Sequence, residues 1–269
     1  VLIDFKNPAA LSAAFLPGYP TLVSTGQVIT LTLRVNNTAP NPGADSLGTR
    51  PAAVVKVSGG GGDFVLDSGP IPSSQTVPGF SQRDFVFTYT ATSAGTVVFS
   101  TYALGTDANT LEQRISTWTT TSLITVQQAG ALAASLTLTP TLLTPAGQIN
   151  AYLTVTNTGG TTLNSVVPTI NFSPGTLTQF TAAPAPVTLS PGSSTTFIWS
   201  FSPSATGTYS LTAYAAGPDA ISGLTQTSAS YSGQAIVRSP DVLTSSISLS
   251  PANASTSQLV TLIMKIGRA

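Results

Sequence analysis

Apolar and polar residues alternate with a period of two along most of this chain, in short runs separated by Gly, Pro, Asn and Ser. Ile149 to Asn157 and Phe85 to Tyr89 are representative. Successive side chains of a strand point to opposite faces of its sheet, so the pattern is that of half-buried antiparallel strands. Between residues 129 and 239 it predicts strands over 134–139, 148–156, 164–172, 176–181, 186–190, 195–202, 207–215 and 226–237. No segment carries a helical apolar stripe with a cap.

The strand pattern is duplicated. Phe85-Val86-Phe87-Thr88-Tyr89 returns as Phe197-Ile198-Trp199-Ser200-Phe201, and Gly95-Thr96 returns at the same spacing as Gly207-Thr208. Tyr102 to Ala108 likewise matches Tyr214 to Ala220. Upstream, Leu33 to Thr38 matches Leu153 to Thr158 at a longer spacing, so the first unit carries extra residues, assigned to the loop-rich stretch Ala39 to Gly62. A third copy opens at Ser246 to Pro251, parallel to Ser135 to Pro140, and continues to Met264-Lys265-Ile266. The expected layout is an N-terminal segment (1–14), a first domain (15–128), a second (129–239) and the first strands of an incomplete third (240–269). Seven or eight short strands in about 110 residues, joined by turn residues, fit an immunoglobulin-like sandwich. The fold class is therefore all-β, with tandem sandwich domains and a partial third.

The opening strand with its Pro, the stretch Gly147 to Gly159, Pro191-Gly192 before the strand at Phe197, and Ala205 to Ala215 together resemble bacterial and archaeal surface Ig-like repeats of the CARDB and DUF11 type. The resemblance covers both complete units and implies adhesion, stalk or cell-surface modules, with no catalytic residues to carry over. Unit one departs from it in the run Gly59 to Gly62 and in its insertion.

Composition narrows the function. Charged residues are 7% of the chain against about 25% in ordinary soluble proteins. Ser, Thr, Gly and Pro replace them, as expected of an extracellular or cell-surface protein. Net charge is zero and 41% of residues are hydrophobic, which favours folding over disorder. No cluster of Lys and Arg is available to bind phosphates, so nucleic acid is not an expected partner. The absence of Cys and His removes disulfides, the usual zinc sites, Ser-His-Asp triads and Cys-His nucleophiles. Apolar runs stop well short of a membrane-spanning helix. No signal peptide is recognisable, and Val1 in place of Met reads as a processed or trimmed product. The chain is expected to be non-enzymatic and without a cofactor.

Several residues are nevertheless candidates for chemistry. Asp107 and Asp219 occupy equivalent places in Gly-x-Asp-Ala and are calcium candidates at a domain junction. An Asx turn explains them as well and is favoured, since calcium collects several carboxylates and unit two holds only Asp219. Asp63 and Asp67, with Asp45 nearby, would form a second cation site or keep an exposed hairpin soluble. Read as a glycosidase pair, Asp63 and Asp67 would need a cleft and a raised pKa on one of them. The aromatic residues at 85, 87, 89, 197, 199 and 201 would form a sugar-stacking platform or pack in the core, and core packing is favoured, while Trp118 among polar neighbours is the better candidate for an exposed aromatic. Asn36, Asn171 and Asn253 lie in N-glycosylation sequons, so glycans are a candidate partner. The run Gly59 to Gly62 lacks the Lys and helix of a phosphate loop and reads as a flexible turn.

Two features point to assembly. Between Ala129 and Val237 the only charged residue is Asp219, and a surface without charge does little to keep copies apart. The third copy presents Ile247, Leu249, Leu259, Leu262 and Ile266 without a partner sheet, so these strands either belong to a longer array or complete a neighbouring subunit by strand addition. The expected function is a structural subunit of a filament, stalk or sheath, with its own kind as partner. The alternative is a carbohydrate-binding or adhesive module without catalysis.

Overall fold

The computed structural model describes residues 3–173 and 177–268. Among them every helix or strand is a strand. The first unit holds β1 (Leu11–Phe15), β2 (Leu22–Ser24), β3 (Val28–Asn37), β4 (Ser46–Pro51), β5 (Val55–Gly59), β6 (Asp63–Ile71), β7 (Gln75–Val77), β8 (Ser81–Ser93), β9 (Gly95–Thr101), β10 (Ala103–Asp107), β11 (Gln113–Ile115), β12 (Thr119–Thr120) and β13 (Ile124–Gln127). The second holds β14 (Leu132–Thr139), β15 (Leu142–Leu143), β16 (Ile149–Asn157), β17 (Leu163–Ser173), β18 (Leu177–Gln179), β19 (Val187–Leu189), β20 (Ser194–Pro203), β21 (Gly207–Pro218), β22 (Thr225–Thr227) and β23 (Tyr231–Val237). Beyond them lie β24 (Leu243–Ser250) and β25 (Thr261–Arg268).

In the second unit one sheet runs β14-β16-β20-β18 and the other β15-β23-β21-β17-β19, with β22 beside β21. Pairing is antiparallel except where β15 lies parallel to β23. Alternation decides what is buried. Ile149, Ala151, Leu153 and Val155 of β16, Phe197, Trp199 and Phe201 of β20, and Tyr209, Leu211 and Ala213 of β21 form the core between the sheets, while Ile198 between two buried aromatics faces solvent. This is an immunoglobulin-like β-sandwich.

The first unit repeats the arrangement with one face split in two: β1-β3-β8-β6 form one sheet, and opposite it stand β12-β9-β13-β2, with β5 beside β9, and β11-β10-β4-β7. Here too the first short strand, β2, runs parallel to the last, β13. What is one continuous strand in unit two, β21, is interrupted at Tyr102 in unit one to give β9 and β10. Leu31, Leu33, Phe64, Phe85, Phe99 and Ile124 are wholly buried in its core.

The structure departs from the sequence reading in places. The first unit opens at Leu11, because β1 pairs with β3 from Leu11 opposite Asn37 to Phe15 opposite Leu33. The boundary expected at residue 15 therefore falls inside a strand whose central alanines blur the alternation. The stretch Ala39 to Gly62, expected as a loop-rich insertion, contains β4 and β5, whose Gly and Lys content hid them. Asp63 and Asp67 lie on β6 rather than in a loop. The strand expected over 226–237 is broken into β22 and β23. Thr176, where another was expected to start, lies outside the described residues. Gly60 and Gly61 do make a turn, with φ of 60° and 83°, and a Cβ on Gly62 would stand 2.6 Å from the Thr96 nitrogen, so side chains are excluded there.

The β24–β25 hairpin reproduces the opening ribbon of unit two. Leu249 faces Leu262 and Ile247 faces Met264, as Leu138 faces Ala151 and Leu136 faces Leu153. One hairpin face thus carries Leu243, Ile247, Leu249, Leu262, Met264 and Ile266, and every residue of both strands is exposed. Leu259, expected with this group, precedes β25 and is also exposed.

The alternation makes a direct prediction in unit two. Leu153→Ala, which empties a wholly buried site, should cost about 3 kcal/mol. Ile198→Ala on the outer face should cost under about 1 kcal/mol. Calorimetric unfolding of the two variants beside the parent checks the order, and equal losses would contradict the assigned faces.

Candidate functional site at the junction of the two units

Among the described residues the most densely bonded carboxylate is that of Asp219, just after β21. Its Oδ1 accepts from the backbone N–H of Ile221 at 3.0 Å and of Ser222 at 2.9 Å, and from the Ser222 hydroxyl at 3.1 Å. That is an Asx turn closing the loop behind the strand. The same oxygen also accepts from the hydroxyl of Ser24 in unit one, at 2.8 Å. Oδ2 accepts from the N–H of Gly130, in the linker between the units, at 2.8 Å, and from the Thr161 hydroxyl. A single side chain therefore ties the end of β2 in unit one, the linker and unit two together. Asp219 and Ser24 are both buried.

Neighbouring bonds strap the linker further. Thr25 donates its N–H to the Gln127 carbonyl at 2.9 Å, and its hydroxyl accepts from Ala129 N–H at 3.0 Å. Gly159 makes room for this passage, since a Cβ there would lie 2.2 Å from the Ala129 carbonyl oxygen.

Unit one carries the same device at its own entrance. Asp107 Oδ1 accepts from Asn109 and Thr110 N–H, both at 2.9 Å, and Oδ2 from Ala9 N–H at 2.6 Å. The backbone agrees: Asp107 N–H donates to Glu112 as Asp219 N–H does to Leu224, each at 2.9 Å. Two more polar residues repeat with them. Asn37 donates to the carbonyls of Ala44 and Val77 and accepts from Ala10 N–H, while Asn157 donates to those of Thr161 and Leu189 and accepts from Ala131 N–H. Ser116 and Ser228 each accept from a strand amide, of Ala103 and Ala215. Buried Asn37 and Asn157 went unremarked in the sequence although they lie within a motif that shows the duplication. A polar residue at an inward position of an alternating strand was the available signal.

Electrostatics follow from the donors. Burial by itself raises the pKa of Asp219, but hydrogen bonds from Gly130, Ser222, Thr161 and Ser24 outweigh it and hold the carboxyl well below the usual carboxylate range. Asp107 is lowered in the same way: burial opposes, and the amides of Thr110, Ala9 and Asn109 prevail. Both carboxylates face hydrogen-bond donors, an arrangement suited to holding backbone in place rather than to receiving a cation.

The remaining candidates lie apart. Asp63 forms an ion pair with Lys56 at 2.5 Å, and the Lys56 ammonium and the Phe64 N–H lower its pKa. Asp67 accepts from the Thr90 hydroxyl at 2.8 Å, and Asp45 from Gly79 N–H at 3.1 Å. Among the described residues no group of three or more Asp, Glu, His or Cys side chains is placed to hold a metal ion. Asn36 lies half-buried on β3, Asn171 exposed on β17 and Asn253 exposed before β25. Trp118 is 58% exposed and meets the ring of Tyr102 edge-on at 4.8 Å. Among the described residues no helix is long and apolar enough to cross a membrane.

No protein-family model matches the chain, and no curated protein does. Solved structures similar to it include red sea bream transglutaminase (14% identity, TM-score 0.30, covering 88% of this chain and 32% of that one). Escherichia coli alpha-2-macroglobulin in its native conformation is another (13%, 0.35, 89% and 18%). A third is a protein of unknown function from Porphyromonas gingivalis W83 (14%, 0.27, 86% and 100%). The chain thus spans a third or less of the transglutaminase and macroglobulin chains.

Asp219→Ala, which leaves buried donors without an acceptor, should destabilise the protein by about 3 kcal/mol at neutral pH. The folded carboxyl titrates below the unfolded one, whose pKa is about 3.9. Its stabilisation is therefore complete above about pH 4 and is lost as pH falls toward the folded value. Asp219→Asn should show a lower Tm than the parent at pH 7 and a shallower fall of Tm between about pH 6 and pH 2.5. Identical pH profiles would show that the carboxylate carries no such load.

Proposed function

We propose that this chain is a non-catalytic structural segment of an extracellular or cell-surface assembly, a filament, stalk or sheath, in which it associates with copies of itself through sheet edges and uncharged sandwich faces. The observation that carries the reading is the surface of unit two. Asp219 is the only charged residue between Ala129 and Val237, and it is 1% exposed, so that whole stretch presents no formal charge to solvent. Hydroxyls take its place: on neighbouring strands Thr154 meets Thr196 at 3.0 Å and Thr156 meets Ser194 at 2.7 Å. Such a face has little electrostatic resistance to close approach. The apolar face of the β24–β25 hairpin supports the same reading, because a two-stranded ribbon gains stability by packing on a further sheet. So does the resemblance to surface repeats of the CARDB and DUF11 type. The bonded junction supports a rod-like element, since it braces two sandwiches against each other.

A second reading, a carbohydrate-binding or adhesive module, is favoured by Trp118 alone, an exposed ring braced on Tyr102. The chain has two Trp residues and Trp199 is buried, so an oligosaccharide-dependent change in tryptophan emission would report on Trp118 and support that reading.

Sedimentation velocity tests the self-association. The chain should form larger species as concentration rises to about 100 μM, a range in which standard-size interfaces operate. Thr196→Lys combined with Ile198→Lys on the outer face of β20 should shift it toward monomer without loss of fold. Ile247→Lys with Ile266→Lys isolates the hairpin's share. A chain that stays monomeric throughout would overturn the self-associating reading.

A further inference from the structure

The two sandwiches differ at one inner corner. In unit two, Phe201 of β20 and Phe172 of β17 meet edge-on with ring centroids 5.4 Å apart and fill the space between the sheets. The duplication identifies their counterparts in unit one. Tyr89 stands where Phe201 does in the repeated strand. Phe172 pairs with Leu211 as Lys56 pairs with Phe99, and Phe99 and Leu211 are themselves equivalent in the repeat. An aromatic plug in one unit is thus replaced by a phenol and an amine in the other.

The replacement leaves an opening. The Lys56 ammonium is drawn aside to the Asp63 carboxylate and the Phe64 carbonyl. Between the chain at Arg50 to Val54 and strand β6 lies a cleft of about 530 Å³, with Phe87 and Tyr89 among its lining. Its walls are mostly apolar, through Val54, Leu66 and Pro70. That volume is within the range of small-molecule sites.

Two polar groups at this cleft lack partners. Tyr89 is 3% exposed as a residue and lines the cleft, and its hydroxyl makes no hydrogen bond with the described residues, which leaves a donor available to an occupant of the cleft. Burial pushes its pKa up to about 12, so it remains a donor throughout the ordinary pH range. Arg50, exposed on β4 and also lining the cleft, makes no ion pair with the described residues, whereas Lys56 is already neutralised by Asp63. One available donor, one cation without an ion-pair partner and apolar walls define a ligand of complementary type.

We propose that this cleft in unit one binds a small apolar carboxylate, its hydrocarbon body lodged against Phe87, Leu66 and Pro70 and its acid group accepting the Tyr89 hydroxyl in the positive potential of Arg50. The site lies in a different unit from the uncharged face and does not depend on self-association.

Octanoate titrated into the full chain by calorimetry, with octanol as the neutral counterpart, tests the proposal. Octanoate should bind saturably at one site, and Tyr89→Phe, which keeps the ring, should weaken it by about 10-fold, as loss of one good hydrogen bond does. Arg50→Gln should weaken it and flatten its dependence on salt. Lys56→Phe, which rebuilds the plug of unit two, should abolish it. Thermal unfolding verifies that each variant is folded, and if Lys56→Phe fails to fold, Tyr89→Phe and Arg50→Gln still decide. Binding that Tyr89→Phe leaves unchanged would place octanoate elsewhere, for instance on the apolar hairpin, and overturn the proposal. So would octanol binding as tightly as octanoate, or no saturable binding at all.

Discussion

A carboxylate that sits out of reach of water and is surrounded by amide and hydroxyl donors organises this molecule. Asp219 takes bonds from its own turn, from the linker at Gly130, from Thr161 and from Ser24 of the preceding unit. A buried charge is tolerable only when its hydrogen bonds replace its hydration, and the N–H groups of Gly130, Ile221 and Ser222 among its donors are backbone groups that would otherwise be unsatisfied where chain segments converge. Each side needs the other. The strand end, the linker and the neighbouring sandwich are therefore fixed by mutual satisfaction of polar groups rather than by apolar contact. Asp107 serves the same purpose at the entrance to unit one, where Ala9 N–H takes the place of Gly130 N–H.

Around these fixed points the duplicated sandwiches have diverged where divergence is cheap. Asn37 and Asn157, Ser116 and Ser228, and Asp107 and Asp219 keep their bonding because each serves backbone groups buried at strand ends. The inner face is freer, since hydrophobic packing constrains volume more than identity. Phe201 becomes Tyr89, Phe172 becomes Lys56, and β21 is interrupted at Tyr102. Polar connections with fixed geometry are the invariant part of this architecture, and the apolar core is the part that varies.

Most of the fold was legible in the sequence because period-two alternation is local, and the repeat supplied a check on each strand through its counterpart. What failed did so for physical reasons. Leu11 to Phe15 is too rich in Ala to display alternation, and the strands within Ala39 to Gly62 were masked by Gly, Arg and Lys at exposed positions. The site was less legible. Asp107 and Asp219 stood out as equivalent acids in a charge-poor chain, and their turn chemistry follows from the residue type. That Ser24 bonds to Asp219 does not, since their meeting is set by how two folded units pack. Lys56 is similar: by pattern it is an ordinary outward lysine on a short strand, and only the strand register shows it facing the position that Phe172 fills in the other unit.

The distribution of charge links the junction to the assembly proposed for this chain. Most proteins place ionised groups outside, where water solvates them and repulsion keeps molecules apart. Here the only ionised group between Ala129 and Val237 is inside, bonded to the chain itself. The interior gains a fixed point and the exterior gains no repulsion. Sheets faced with Ser and Thr approach one another without desolvating charge, which is the expensive part of forming an interface, and hydroxyls can be both donor and acceptor across a contact. Rigidity within the chain and ease of contact between chains thus come from one choice of where the charge is put, and a surface so arranged is suited to repetitive, close-packed contact.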